Sequence, residues 1–248
     1  MKIRAITLDF WGTLLLDPPS SDNRYKKRRM TDFENILGGA GVRVSASALD
    51  RAYEDSASFL GRLWARNRDV SVGEHVRAIL AAVDGHLPDR LPADVIAALV
   101  DAYSRPALMV PPTIDDGARG ALETLRGRGY VLGLISNTMR TPGATLRRLL
   151  AGYGVLDCFS HVTFSDEVDI RKPDPEIFAL TLRALGADAA AAVHVGDDVT
   201  LDVQGARAAG MRVIQVTGAS LKALGARRPD AVIASLAKLP DAVAELDT

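Results

Sequence analysis

The sequence predicts an α/β protein in which a doubly wound, mostly parallel sheet carries a helical bundle inserted after the first strand. Short apolar runs alternate with segments of helical spacing, and each run is nearly continuous in hydrophobicity, as is typical of strands buried on both faces of a sheet. The stretch 17–108 breaks this alternation, because it contains helical spacing and no convincing strand. A chain of 248 residues is long enough for a core with one smaller insertion.

The predicted core consists of residues 1–16 and 109–248. Its strands are predicted at 3–8, 130–135, 161–164, 192–195, 212–216 and 231–233. Its helices are predicted at 117–128, 142–153, 174–185, 200–209 and 236–246. In a doubly wound sheet, ligands bind at the carboxyl ends of the strands, so functional residues are expected there.

The segment 17–108 is predicted to form a separate domain of four helices. In its second helix, apolar and aromatic side chains recur every three or four residues, at Leu49, Tyr53, Leu60 and Leu63, with Ser56 in the same stripe. Glycine and proline residues separate this pattern from similar ones before and after it. These stripes indicate the core of a small helical bundle.

Composition and charge indicate which classes of molecule the protein is expected to bind. The chain is 48% hydrophobic and 25% charged, as is ordinary for a globular protein, and its net charge of −1 gives no reason to expect binding to nucleic acid or a membrane. Cys158 is the single cysteine, which fits a reducing compartment. The first residues run directly into a strand pattern, so we expect a cytoplasmic protein without a signal peptide. We expect a small-molecule substrate and a monomer or homodimer.

Two polar motifs follow the first two predicted core strands. Asp9 comes directly after the first strand, and Gly12 allows the backbone to turn tightly behind it. Ser136 and Asn137 end the second strand, where a hydroxyl, an amide and backbone N–H groups can donate hydrogen bonds to a phosphate oxygen. Each motif taken alone is also compatible with an ordinary turn.

Two charged motifs lie later in the chain. Lys172 precedes a proline-started helix, so its ammonium projects from a rigid turn and can neutralise a phosphate or a carboxylate. Asp197, Asp198 and Asp202 cluster after another strand, and carboxylates this close repel one another unless a cation lies between them. Mg²⁺ prefers such hard oxygen ligands. The alternative is an acidic helix N-terminus, which the helix dipole favours.

Taken together, the four motifs resemble those of the haloacid dehalogenase superfamily. They are Asp9-x-x-Gly12-Thr13, Ser136-Asn137, Lys172-Pro173 and Gly196-Asp197-Asp198-x-x-x-Asp202. The resemblance covers about residues 1–16 and 109–240 and implies a Rossmann-like fold for the predicted core. The helical insertion is similar in position and class to the first type of cap domain in that family.

The resemblance implies an activity and a role for each motif. Asp9 would attack phosphorus to form an aspartyl-phosphate that water then hydrolyses, while Ser136, Asn137 and Lys172 hold the transferring group. Trp11, Gly12 and Thr13 would line the substrate site. Mg²⁺ would be bound by Asp9, the backbone carbonyl of Trp11 and Asp197, with Asp198 or Asp202 in support. The expected function is therefore hydrolysis of a small phosphorylated metabolite.

Trp11 departs from the pattern of the family's phosphatases, which usually carry a second Asp at this position as the general acid and base. An indole cannot protonate a leaving alkoxide, and a positioned acid–base group contributes about 10²- to 10⁴-fold in rate. One hypothesis is that Trp11 limits the enzyme to acyl or aryl phosphates, or to substrates with their own proton donor. The other is that Trp11 is an aromatic plug packed under the cap.

Other functions remain open at this point. The family's 2-haloacid dehalogenases carry an aromatic residue where this chain has Trp11, and there Asp9 would attack carbon; they resemble a metal-free design, however, whereas this chain keeps its acidic cluster. The family's phosphonatases use a cap lysine, for which Lys26 and Lys27 are the only candidates. A pseudoenzyme that binds a phosphorylated ligand without turnover is a further alternative.

A run of cations begins the predicted cap domain. Arg24, Lys26, Lys27, Arg28 and Arg29 flank Tyr25. They form either a solvated helix face or, for Arg28 and Arg29, a group that leans over Asp9 and selects an anionic substrate.

Overall fold

The computed structural model describes residues 2–16, 21–218 and 228–247. Its strands are β1 (Ala5–Leu8), β2 (Leu15–Leu16), β3 (Thr113–Ile114), β4 (Val131–Ser136), β5 (His161–Phe164), β6 (Ala192–Gly196), β7 (Arg212–Val216) and β8 (Ala231–Ile233). Six of these strands form one sheet in the order β5-β4-β1-β6-β7-β8, and all neighbours in it are parallel. The prediction of an α/β fold with a parallel sheet is confirmed.

Helices lie between most consecutive strands of this sheet, as the sequence predicts. They are α1 (Ser21–Gly39), α2 (Ala46–Trp64), α3 (Val72–Val83), α4 (Leu87–Arg90), α5 (Ala93–Ser104), α6 (Pro106–Met109), α7 (Ala118–Gly127), α8 (Gly143–Gly152), α9 (Ser165–Val168), α10 (Pro175–Leu185), α11 (Gly205–Ala208) and α12 (Leu239–Leu246). None of the helices in the described ranges is long and apolar enough to cross a membrane.

Helices cover both faces of the sheet. Successive side chains of a strand point to opposite faces, so the side chains that contact β1 show which helices lie on each face. On β1, Ile6 and Leu8 belong to one hydrophobic cluster, which includes side chains of α7, α8 and α12. Ala5 belongs to the other cluster, which includes side chains of α10 and α11. The central strand is thus buried on both faces, and the residue that follows it lies at the middle of the sheet's carboxyl edge.

The predicted helix at 200–209 differs from the observed backbone. Residues Val199–Gln204 form a π-helical turn, and only α11 follows it as a short α-helix. The carbonyl of Asp198 accepts hydrogen bonds from both Asp202 N at 3.0 Å and Val203 N at 3.1 Å, so the first turn is wide. Such turns often occur at functional sites, and this one returns the Asp202 side chain toward β6.

Helices α1 to α5 pack around a hydrophobic cluster of their own. The cluster includes Phe33, Leu49, Val76 and Leu99, which are all fully buried. Between 21 and 109, the described chain contains four long helices and the two single-turn helices α4 and α6. The predicted domain boundary at residue 17 lies outside the described residues, because 17–20 are not among them. The cap assignment for 17–108 stays a prediction.

Two backbone connections help to join the helical segment to the core. Strands β2 and β3 pair antiparallel, so the chain segments that leave and re-enter the core form one ribbon. On the opposite side, Asn67 O accepts from Arg171 N at 3.0 Å, and Asp69 N donates to Asp169 O at 3.2 Å. The second connection lies directly before Lys172.

Candidate active site

Asp9 lies at the carboxyl end of β1, at the centre of the sheet. Its backbone N donates to Val195 O on β6 at 2.8 Å, which continues the ladder of the two strands. The residue is 5% exposed. A carboxylate in this position follows a buried central strand and lies at the edge where doubly wound sheets bind ligands.

Gly12 shapes the loop behind Asp9. Its φ of +78° is a left-handed conformation that a side chain disfavours. A Cβ at this position would lie 2.7 Å from Oδ2 of Asp197. Glycine is required here both for the turn and because the Asp197 carboxylate approaches the backbone closely.

Lys172 joins the first and last motifs. Its Nζ donates to Asp9 Oδ1 and, at 2.7 Å, to Asp202 Oδ1. Its backbone is held by Asn137, whose Nδ2 donates to Lys172 O at 3.0 Å and whose Oδ1 accepts from Lys172 N at 2.9 Å. The side chain of Asn137 therefore positions the lysine, and Ser136 lies fully buried beside it.

Asp202 is anchored by a buried chain of hydrogen bonds. His194 Nε2 contacts Asp202 Oδ1 at 3.1 Å, and the Thr7 hydroxyl contacts His194 Nδ1 at 2.8 Å. Asp202 Oδ2 accepts from Asp198 N at 3.0 Å. Burial lowers the pKa of His194, so a neutral ring donates to Asp202 and accepts from Thr7. Both oxygens of Asp202 are thus already engaged.

Three carboxylates form the candidate metal site among the described residues. One oxygen atom from each lies within 4.8 Å of the corresponding oxygen atoms of the other two, and the residues are Asp9, Asp197 and Asp202. Asp198 faces elsewhere, because its Oδ1 accepts from Thr200 N at 2.8 Å and Leu201 N at 2.7 Å and so caps the following turn. The structure brings together three of the four predicted acidic ligands.

Burial and neighbouring charges set the ionisation of the site. Burial raises the pKa of Asp9 to about 7, although the charge of Lys172 opposes the shift; the charges of Asp202 and Asp197 add to it. Burial also disfavours the charge on Asp202, but Lys172 and His194 outweigh burial and lower the pKa of that carboxyl. Asp9, the nucleophile proposed from the sequence, is therefore only partly ionised at neutral pH, and additional positive charge beside it would favour the carboxylate.

Trp11 and Thr13 each present a buried polar atom at this loop. Trp11 Nε1 and Thr13 Oγ1 have no hydrogen-bond partner among the described residues. The Trp11 ring packs edge-on against Phe10, with 4.9 Å between ring centroids. Unsatisfied buried donors are costly, so a bound group that accepts hydrogen bonds from these atoms would stabilise the loop.

A cavity of about 440 Å³ opens beside Trp11, between the loop after β4 and helices α1 and α2. Arg29 lines it and is 2% exposed. Arg28 is not among the lining residues: its Nε donates to Asp32 Oδ2 at 3.0 Å, and its side chain is 47% exposed. Of the two cations predicted to face the substrate, only Arg29 lies at this cavity.

Sequence reasoning missed two groups beside the site. Asp69 Oδ2 accepts from Arg171 Nη1 at 2.7 Å, and both side chains are buried. Arg140 stacks on Tyr53 and donates to Ser56 Oγ at 3.2 Å. Ser56 is a polar member of the α2 stripe, but its hydroxyl also donates to Tyr53 O at 2.6 Å within the same helix, so the sequence carried no signal for Arg140.

Comparisons with known proteins identify the family to which the chain is similar. A family model described as haloacid dehalogenase-like hydrolase matches residues 3–210. The chain is 40% identical over 103 residues to haloacid dehalogenase-like hydrolase domain-containing protein 3 of Homo sapiens, and this match covers 42% of the chain and 39% of that protein.

Two other similar proteins match over most of their length. Phosphoserine phosphatase of Thermus thermophilus is 31% identical over 235 residues, which are 86% of this chain and 88% of that protein. The solved structure of a 2-haloacid dehalogenase from Pseudomonas syringae has a TM-score of 0.72 and 26% identity, and covers 98% of this chain and 99% of its own.

Proposed function

Because this chain belongs to the haloacid dehalogenase-like hydrolase family, we propose that it is a magnesium-dependent phosphatase acting on a small phosphorylated metabolite. The observation that carries this proposal is the clustering of three carboxylates, Asp9, Asp197 and Asp202, around one ammonium. Lys172 supplies one positive charge, so the ionised cluster retains negative charge that a divalent cation would balance.

The donor set fits Mg²⁺, which takes hard oxygen ligands. We assign Asp9 and Asp197 as the carboxylate ligands, with the backbone carbonyl of Trp11 as a third. Asp202 holds Lys172 through an oxygen that it also shares with His194. When bound, the cation supplies positive charge that lowers the pKa of Asp9 and lets an anionic phosphate approach it.

Asp9 is the nucleophile in this proposal. One Asp9 oxygen bonds to phosphorus as the ester P–O bond breaks, and the leaving oxygen keeps that electron pair. Water then attacks the aspartyl-phosphate, the bond between phosphorus and the Asp9 oxygen breaks, and inorganic phosphate is released. The Ser136 hydroxyl, the Lys172 ammonium and backbone N–H groups of the loop after β4 orient the phosphate.

Trp11 limits the leaving groups that this arrangement accepts. No acid stands at position 11 to protonate an alkoxide, so the proposal favours acyl or aryl phosphates or substrates that carry their own proton donor. The position of Trp11 at the cavity wall also supports its packing role, and the two roles are compatible.

A second candidate is a 2-haloacid dehalogenase, in which Asp9 would attack carbon and displace halide. The aromatic residue at position 11 and the similarity to a solved 2-haloacid dehalogenase favour it. The acidic pair Asp197 and Asp202 favours the phosphatase, because attack on an uncharged carbon needs no cation beside the nucleophile.

Purified protein should be assayed with p-nitrophenyl phosphate, with Mg²⁺ or with a chelator, and separately with 2-chloropropionate for halide release. We expect Mg²⁺-dependent phosphate release, inhibition by beryllofluoride, and loss of turnover in Asp9→Asn. Halide release that Asp9→Asn abolishes, without phosphate release, would support the dehalogenase. Binding of a phosphorylated ligand with no turnover of either substrate would support a pseudoenzyme.

A further inference from the structure

The cavity beside Trp11 contains two guanidinium groups that lie close together. Arg29 comes from α1, and Arg140 comes from the loop after β4. Arg29 Nη2 donates to the carbonyl of Arg140 at 2.7 Å, which joins the helical segment to that loop. Both groups are removed from bulk water to a large degree, since Arg29 is fully buried and Arg140 is half-buried.

Arg29 is bound only by neutral oxygen atoms in the described structure. Its Nε donates to Tyr103 O at 2.8 Å, and its Nη1 donates to the Tyr53 hydroxyl at 3.1 Å. Its guanidinium carbon lies 4.4 Å from the ring centroid of Tyr103. These contacts orient the cation without neutralising it.

Arg140 has the same kind of surroundings. Its Nη1 donates to Ser56 Oγ and to the Tyr103 hydroxyl, both at 3.2 Å, and its Nη2 donates to Tyr53 O at 3.3 Å. It stacks on Tyr53 with 4.0 Å to the ring centroid. No described carboxylate lies within ion-pair distance of Arg29 or Arg140. Arg171, by contrast, is buried nearby and paired with Asp69.

The other described charges around the cavity form ion pairs with one another or face solvent, and none pairs directly with these two arginines. Lys26 is neutralised by Asp50 at 2.8 Å and by Glu54 at 2.5 Å, and Asp22 is exposed at the start of α1. His75 lies behind Tyr103 and carries no positive charge at neutral pH, because burial lowers its pKa to about 4. Asp69 opposes that shift, and Arg140, Arg29 and Arg171 add to it. Glu54 also attracts Arg140, but neither guanidinium has a carboxylate within ion-pair distance in the described part of the chain.

A buried charge without a partner is unfavourable, and an entering anion with bidentate oxygens relieves that cost. The position of Arg140 limits where such an anion would lie. It is three residues from Asn137, so their Cα atoms are at most about 10 Å apart. Trp11 lines the same cavity and is two residues from Asp9, so the cavity lies next to the loop that carries the nucleophile. The cavity volume of about 440 Å³ is within the range for small ligands.

We propose that Arg29 and Arg140 bind a second anionic group of the substrate, a carboxylate or a second phosphate, while Trp11, Tyr53 and Trp64 pack against its planar or apolar body. This inference rests on the proposed phosphatase function and defines the substrate class. The substrate is a phosphate ester whose leaving group is itself an anion, held by two cations at the far end from Asp9.

Three probes test the proposal: phenyl phosphate, 4-carboxyphenyl phosphate and 1,4-phenylene bisphosphate. We expect KM to be about 10- to 100-fold lower for at least one of the two probes with a second anion. The probe with the larger gain identifies that anion as carboxylate or phosphate. In Arg140→Met this gain should disappear, so that the KM values of the three probes fall within about threefold of one another. Arg140→Lys should retain part of the gain.

The matched control is Arg148→Met, which removes an exposed arginine of α8 and should keep the full gain. Binding of the same probes to Asp9→Asn, measured by calorimetry, reports the preference without turnover. Equal affinity of this variant for all three probes overturns the inference. If wild type hydrolyses all three probes through Asp9 with equal KM, the inference is overturned but the phosphatase proposal stands. If the probes with a second anion bind more tightly but wild type hydrolyses none of them, only the phosphatase proposal is overturned.

Discussion

Asp69 and Arg171 form a buried ion pair across the boundary between the helical segment and the core, with 2.7 Å between Asp69 Oδ2 and Arg171 Nη1. Asp69 also accepts from the Ser165 hydroxyl at 2.5 Å and from the Trp64 indole at 3.2 Å. Because Arg171 directly precedes Lys172, this pair attaches the helical segment next to the lysine that contacts Asp9.

Removing one member of this pair should destabilise the protein by about 3 to 5 kcal/mol, because the remaining charge is left buried. We expect this loss in Arg171→Met and in Asp69→Asn, measured as the free energy of unfolding in urea. The double variant should lose less than the sum of the two single variants. Additive losses would show that the two side chains do not interact.

Asp197 and Asp198 should differ in their effect on Mg²⁺. Asp197→Asn should raise the dissociation constant for Mg²⁺ at least about 10-fold, since even residues outside the ligand set cost about 10- to 100-fold. Asp198→Ala should leave that constant unchanged and cost about 1 kcal/mol of stability, because Asp198 caps the following turn. Calorimetric titration and thermal unfolding separate the effects, and weaker Mg²⁺ binding by Asp198→Ala would make Asp198 a ligand.

Gly12→Ala should abolish activity through the position of Asp197. Its Cβ would lie 2.7 Å from Asp197 Oδ2, so the carboxylate or the loop has to move. Gly41 has the same φ of +78° but open space around it, so Gly41→Ala carries only the backbone cost of about 1 kcal/mol. Turnover and Mg²⁺ affinity should fall in Gly12→Ala alone. A similar loss in both variants would mean that general instability is the cause.

Trp11→Asp should raise turnover of an unactivated alkyl phosphate such as ethyl phosphate. A positioned acid contributes about 10²- to 10⁴-fold, so a rise of at least about 10-fold is expected even with imperfect geometry. Trp11→Phe keeps an aromatic ring without an acid and should show no rise. If Trp11→Asp folds, binds Mg²⁺ and still shows no gain, the missing acid does not limit the enzyme.

His75 should make the protein less stable in mild acid. Its pKa falls from 6.5 when unfolded to about 4 when folded, because burial outweighs the attraction of Asp69. The unfolded chain therefore binds the proton first, and stability that is complete above pH 6.5 is lost as the pH falls toward 4. The full loss is on the order of 3 kcal/mol.

His75→Phe keeps a ring against Tyr103 and removes this titration. The difference in unfolding free energy between wild type and His75→Phe cancels contributions common to both proteins, including those of Asp9 and Asp166, whose pKa values burial raises to about 7 and about 6. A difference that does not change between pH 6.5 and 4 would contradict the assignment.

The core could be predicted from the sequence because each of its elements carries a local pattern. Continuous apolar runs predicted every strand of the main sheet to within two residues, and residues at strand ends such as Asp9 and Ser136 were predicted to share one edge. Their meeting follows from a general property, since the carboxyl ends of parallel strands lie on the same side of a sheet. The π-helical turn was not predictable, because it depends on the Asp198 carbonyl accepting hydrogen bonds from both Asp202 N and Val203 N, which no sequence pattern records.

Residue types and their order along the chain determined the fold class, the nucleophile candidate and the acidic cluster, because each depends on local periodicity or on the topology of a parallel sheet. Only the tertiary structure decided which side chains meet across long separations. Asp69 and Arg171 are 102 residues apart, and Arg29 and the Arg140 carbonyl are 111 apart. Their contacts depend on how the helical segment packs on the core. That packing arises from many weak apolar contacts between distant parts of the chain, and no short sequence pattern predicts their combined effect.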